Sequence, residues 1–249
     1  MTGSVLVAGA GSALARALSE ELARAGHGLV LAARDLDEAE RTAADLRLRF
    51  GVATATLAFD ARAASEAAAL PGRAASILPG GLSGVVVAFA SMPDQDDVER
   101  DPAAGLEMID VNVRSTTALL EAAAALLEGR RGTFICAFSS VAGDRGRRRN
   151  YSYGATKAAL SVALEGLSSR LADGGVRVLC VKPGPVDTRM SWGLVPASSP
   201  LLARPERVAR DVVAALRAGR TVVYTPWFWR PVMALLRALP APIFRRLPI

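Results

Sequence analysis

The stretch "SVLVAGAGSALARAL", residues 4–18, changes its periodicity halfway along. It opens as a continuous apolar run, passes through "GAGS", and continues as an Ala- and Leu-rich helical pattern. A strand apolar on both sides that turns through glycine into a helix is the opening unit of a parallel sheet covered by helices. The alternation continues outward. Apolar runs recur at 28–34, 53–60, 84–90, 132–140, 176–184 and 221–226. Helical patterns lie between them at about 12–25, 36–50, 62–69, 102–127, 151–173 and 205–218. About seven strands then predict an α/β fold, a doubly wound parallel sheet with helices on both faces. No linker or repeat divides it, so residues 1–249 read as one domain ending in a basic, aromatic segment at 226–249.

Composition excludes several classes. Hydrophobic residues make up 51% of the 249, enough for a full core and too many for disorder. One histidine, His27, cannot build a His-based triad or a zinc site, and it reads as a helix-end or loop residue. The two cysteines, Cys136 and Cys180, sit in apolar runs without metal-like spacing. They predict core thiols in a reducing compartment, no disulfide and no metal. The N-terminus enters a strand without a charged leader, and no apolar run is long enough to span a bilayer, which together predict a cytoplasmic protein. The net charge of +6 fits nucleic acid, an anionic cofactor or a membrane surface. Only two of the 30 cationic residues are lysines, Lys157 and Lys182.

The first turn is a candidate pyrophosphate site, because a Gly-rich turn lets backbone amides and a helix N-terminus approach an anion. Its residues are Gly9, Gly11, Ser12, Ala13 and Leu14, with Ala13 and Ala15 where further glycines would be expected. The second strand ends "LAARD". An acid there would accept ribose hydroxyls, whereas Arg34 suits a 2′-phosphate, so NADPH is favoured over NADH. Asp35 reads as a helix N-cap.

The second informative stretch is "SSVAGDRGRRRNYSYGATKAAL", residues 139–160. On a helix, Tyr153 and Lys157 are an i, i+4 pair on one face, and Tyr151 points elsewhere, toward a pocket wall or into packing. A cation one turn away stabilises phenolate and suits the tyrosine to proton transfer. Ser140 closes a strand at the end of the sheet where ligands bind, and its hydroxyl is placed to meet a carbonyl.

On these residues the chain resembles a short-chain dehydrogenase/reductase, a family with the Rossmann fold. A Ser thirteen residues before the Tyr of Y-x-x-x-K matches Ser140, Tyr153 and Lys157. "AGAGSALA" stands at the family's glycine turn and matches at Gly9. The resemblance implies that Asp60 contacts adenine, and that Ala90 borders the cofactor within "VVAFAS". It implies that Asn112, in "IDVNVRS", relays protons toward Lys157. It also implies that Pro183, Gly184, Val186 and Thr188, in "KPGPVDT", border the nicotinamide. The implied reaction is hydride transfer to a ketone. Tyr153 is the acid, Ser140 polarises the carbonyl, and Lys157 binds the nicotinamide ribose and lowers the Tyr153 pKa.

"DRGRRRN" sets Arg145, Arg147, Arg148 and Arg149 between Ser140 and Tyr153, where Arg147 and Arg148 are candidates for an anionic part of the substrate. Tyr151, Met190, Trp192 and Leu194 are candidate walls of an apolar pocket. The last 24 residues carry four arginines, no acid, and Trp227, Phe228 and Trp229. They read as an interfacial segment, a lid or a packed helix. Within the family, "GDRGRRRNYSYGATKA", "KPGPVDTRMSWGL" and "IFRRLPI" are most similar to the decaprenylphosphoryl-2-keto-ribose reductase subfamily. That resemblance implies a lipid-linked ketone, a peripheral place on the inner face of the membrane and a partner oxidase; the family implies a homodimer or homotetramer. The alternatives are a reductase of a small ketone and a catalytically idle dinucleotide-binding sensor. Nucleic acid is not expected, since the charge outside the tail lacks interleaved aromatics.

Overall fold

Short runs of Val, Leu and Ala that are apolar on both faces are stable only as strands covered from both sides. The computed structural model, which describes residues 3–193, 195–196 and 198–247, contains seven strands, the central ones buried on both faces and the edge strands only partly covered. They are β1 (Ser4–Ala8), β2 (Gly28–Ala33), β3 (Thr54–Ala58), β4 (Leu82–Val87), β5 (Phe134–Phe138), β6 (Arg177–Pro183) and β7 (Val222–Thr225). All pairs are parallel and the order is β3-β2-β1-β4-β5-β6-β7. The order reverses between β1 and β4, so the crevice at their carboxyl ends is the ligand position of such sheets.

Helices cover both faces. On one, α1 (Ala13–Arg24), α2 (Leu36–Phe50) and α8 (Pro205–Arg217) bury Leu18, Leu22, Leu46 and Val212. On the other, α3 (Ala64–Ala75), α6 (Thr116–Leu127) and α7 (Tyr151–Leu171) bury Leu70, Leu119, Leu127, Leu164 and Leu171. Both cysteines are buried and free. His27 lies between α1 and β2, with its ring edge toward Phe134 and Nδ1 3.4 Å from the Gly3 carbonyl.

Three expectations are corrected. The helix expected over 62–69 continues through Pro71 to Ala75, because packing of α3 on α6 offsets the backbone hydrogen bond that proline removes. The helix expected over 102–127 is two helices, α5 (Pro102–Ile109) and α6, joined by a π turn at Asp110–Ser115. The Asn112 side chain, bonded outside this element, accompanies the widened turn. Before it, α4 (Gln95–Arg100) was not anticipated, since "DQDDVER" has no apolar periodicity. Beyond β7 the tail forms α9 (Trp229–Ala238) and α10 (Ala241–Phe244).

Neighbouring strands leave little room at the sheet surface. Gly84 on β4 lies beside Phe134 on β5, and a methyl group at Gly84 would overlap the phenyl ring. Gly84→Ala is expected to destabilise the protein by about 1–3 kcal/mol through overpacking. The measurement is a lowered denaturant midpoint at unchanged slope.

Candidate active site

At the end of β1 the chain must reverse at once to start α1. Gly9 does this at φ +88°, with its amide and that of Ala10 bonded to the Ala32 carbonyl at 2.9 and 3.0 Å. A side chain at Gly9 would also lie 2.8 Å from Phe89, so glycine is required twice over. Gly11 faces open space. Ser12 caps α1, its hydroxyl accepting from the Ala15 amide at 3.1 Å, while Ala13 and Leu14 form the first turn. Ala15 is fully buried, so the second missing glycine leaves a small side chain packed beneath the helix.

At the end of β2, Arg34 is exposed and Asp35 caps α2 by accepting from the Glu38 amide at 3.0 Å. Beyond β3, Asp60 pairs with Arg62 at 2.5 Å; that partner holds its carboxyl below the usual carboxylate range. Ala90 packs with Met92 and Met108 against Tyr153.

Ser140 follows β5 and caps a short 3₁₀ turn, Val141–Asp144, by accepting from the Ala142 amide at 3.1 Å. The turn lies directly on α7. A methyl at Gly143 would be 2.7 Å from the Lys157 backbone, and one at Gly154 would be 2.7 Å from the Ala142 carbonyl. Tyr153 is 8% exposed. Burial pushes its phenol up, and the neighbouring Ser140 hydroxyl pulls it back down. Lys157, 3% exposed, is lowered to about 8 by burial. Its Nζ lies 5.6 Å from the Tyr153 ring centre and donates to the Phe138 carbonyl at 2.7 Å. Burial is thus the largest influence on the Tyr153 phenol, and the Lys157 ammonium is bonded at the strand end.

Asn112 is buried in the π turn. Its Oδ1 accepts from the Ser91 amide at 2.7 Å, and its Nδ2 donates to the Ser91 carbonyl at 2.7 Å and to Thr156 Oγ1 at 3.1 Å. It therefore ties the segment after β4 to α7. On the far side, Pro183 ends β6 and the Gly184 amide donates to the Thr225 carbonyl at 3.1 Å. Val186 is buried in a bridge to Ala203, and Thr188 Oγ1 donates to the Val186 carbonyl at 3.3 Å.

The candidate substrate residues are not gathered into one wall. Trp192 is 89% exposed and Met190 is also exposed, because the 3₁₀ turn Arg189–Ser191 buries nothing. Leu194 lies outside the described residues. Tyr151 is exposed and donates to Glu99 at 3.3 Å, so it is not a core packing residue. The arginines separate: Arg148 is exposed, whereas Arg147 is partly covered, with an Nε that has no partner among the described residues. Burial lowers the Arg147 pKa. Arg145 donates to the carbonyls of Leu236, Arg237 and Leu239 and lies 3.8 Å above the Phe244 ring.

Three neighbours of the site left no sequence signal. Gln95, buried within an acidic stretch, accepts from the Ser152 amide at 3.1 Å and donates to Ser152 Oγ at 3.2 Å, holding the start of α7. Asp144 is drawn inward by partners on β6 and β7. Trp229, expected only within an interfacial cluster, packs with Met233 on Val141 and fills the space a side chain at Gly184 would need.

Residues 4–198 match the short chain dehydrogenase family. An oxidoreductase of Mycobacterium tuberculosis (strain H37Rv) is 39% identical over 247 residues, covering 98% of this chain and 96% of that protein. An oxidoreductase of Streptomyces coelicolor is 34% identical over 248 residues, 99% of this chain and 96% of that one. Among solved structures, a short chain dehydrogenase of Burkholderia cenocepacia in complex with NADP is 25% identical, with a TM-score of 0.81 over 100% of this chain and 98% of that one. With a single seven-stranded doubly wound sheet and these relatives along its whole length, the chain belongs to the short-chain dehydrogenase family and is an oxidoreductase.

Proposed function

We propose that this enzyme reduces a ketone to a secondary alcohol with NADPH, on a bulky amphipathic substrate such as a keto sugar carried on a lipid phosphate. The observation that carries the reading is the meeting of Ser140, Tyr153 and Lys157 beside β5, with the phenol buried and held in its acid form. Hydride comes from the nicotinamide when it is bound. Tyr153 gives its proton to the carbonyl oxygen, and the Ser140 hydroxyl orients and polarises that oxygen. Lys157, fixed by one bond to the Phe138 carbonyl, has two further N–H donors for ribose hydroxyls. Asn112 completes the proton path toward Lys157, and its bonds to Ser91 and Thr156 hold that turn in place.

The residues suit a dinucleotide. Gly9 leaves the turn free of side-chain bulk, Gly11 is open, and the first-turn amides of α1 face the sheet's carboxyl edge. Pro183, Gly184, Val186 and Thr188 lie on the opposite side, for the nicotinamide end. Two features favour NADPH over NADH: Arg34 is exposed at the end of β2, and the nearby Asp35 carboxylate is taken up in capping α2. The Burkholderia neighbour is itself described with NADP.

The lipid part of the reading rests on arginine and the tail. Arg148 and the incompletely bonded Arg147 suit a phosphate. Trp227, Val232, Leu235 and Ile243 are exposed beside Arg230, Arg237, Arg245 and Arg246, a pairing suited to an anionic membrane surface. No helix among the described residues is long and apolar enough to cross a membrane. The reading places the enzyme at the inner face of the membrane, as a homodimer or homotetramer, with an oxidase supplying the ketone.

Tyr153→Phe is expected to bind NADPH normally and to lose turnover about 10²–10⁴-fold. Nucleotide fluorescence titration and NADPH oxidation across a panel of ketones measure the two. Arg34→Ala is expected to weaken NADPH about 10–100-fold and leave NADH nearly unchanged, the loss of one charge-assisted contact; the two dissociation constants decide it. Cutting the chain after Pro226 would strip Trp229 and Met233 from Val141, so membrane attachment is better tested on surface positions. Trp227→Ala with Leu235→Ser should abolish flotation with anionic vesicles. Unchanged flotation, or none by the intact chain, removes the membrane.

A further inference from the structure

The turn that carries Ser140 ends in a buried carboxylate that the proposed reaction does not use. The Asp144 side chain is 2% exposed. One oxygen lies 2.5 Å from Lys182 Nζ on β6, and the other accepts from the Tyr224 hydroxyl on β7 at 2.7 Å. Lys182 and Tyr224 are register partners, so Asp144 bridges the tips of two adjacent strands. Burial, and then the bond to the carboxylate, push the Tyr224 phenol up, so it stays a donor. Lys182 is followed directly by Pro183 and Gly184, at the start of the loop after β6. Arg145, the residue after Asp144, holds the C-terminal end of α9 through three carbonyls.

We propose that Asp144 is a positioning residue: its bridge to Lys182 and Tyr224 fixes the Ser140 turn relative to the Pro183–Thr188 loop, and so fixes the carbonyl-orienting hydroxyl against the nicotinamide position. The proposal rests on the ketone reductase reading for its kinetic consequence. A buried ion pair gives little net stability over a well-packed apolar pair, whereas breaking one side of it is strongly destabilising. The bridge earns its place through geometry, because a misplacement of about 1 Å at a reacting centre costs up to about 10²-fold in rate.

The test compares the intact chain with Asp144→Asn and with Asp144→Asn/Lys182→Met. In the single variant kcat should fall about 10–100-fold, with NADPH affinity unchanged and Tm lowered. In the double variant, which leaves no unpaired buried charge, Tm should recover while kcat stays low. A kcat that stays normal in the single variant, or returns together with Tm in the double, would overturn the proposal. Amide exchange is read on the same proteins. Faster exchange confined to residues 139–150 supports the bridge, and unchanged or uniformly faster exchange overturns it. If the intact chain reduces no ketone, the reaction assigned above fails, and the exchange measurement still decides the bridge.

Discussion

Between α7 and the turn after β5 there is no space for a methyl group. Gly143 sits against the backbone of Lys157 and Gly154 against the carbonyl of Ala142, so two stretches of main chain touch directly. Side chains on touching backbones inherit their relative position from covalent geometry rather than from flexible contacts. Ser140, three residues before Gly143, and Tyr153, beside Gly154, are therefore held in one arrangement without having to hold each other. The remaining contacts reinforce this. Gln95 fixes the start of α7, Asn112 ties Thr156 to the segment after β4, and Asp144 ties the turn to β6 and β7.

The same constraint accounts for the electrostatics. Close packing that excludes water raises the Tyr153 phenol and lowers the Lys157 ammonium, both by disfavouring the charged form. A tyrosine kept protonated beside a serine hydroxyl suits the acid role proposed for it. A lysine lowered to about 8 still carries its proton at neutral pH, and its bond to the Phe138 carbonyl compensates part of its desolvation. The site is thus set by burial first and by charge second.

The tail has two faces with different duties. Inward, Trp229 and Met233 pack on Val141, next to Ser140, and Arg145 reaches across to the end of α9. Outward, Trp227 is 70% exposed. A segment so placed cannot be removed without disturbing the Ser140 turn.

The alternation of two-sided apolar runs with helical patterns determined the sheet, its two covering layers and nearly every strand, because burial on both faces forces a composition visible residue by residue. The i, i+4 spacing put Tyr153 and Lys157 on one face, and the strand end put Ser140 nearby, because local geometry is read directly from spacing. The two-way bonding of Asn112 within its π turn, the inward course of Asp144, the capping by Gln95 and the division of the arginines were decided only by tertiary structure. Each depends on a partner more than twenty positions away, or on which face of a loop water reaches. Arg145, Arg147 and Arg148 are alike in sequence, yet one clamps a helix end, one is partly desolvated and one is in solvent. Their chemistry is identical; only the packing around each guanidinium differs, and packing is a property of the folded chain.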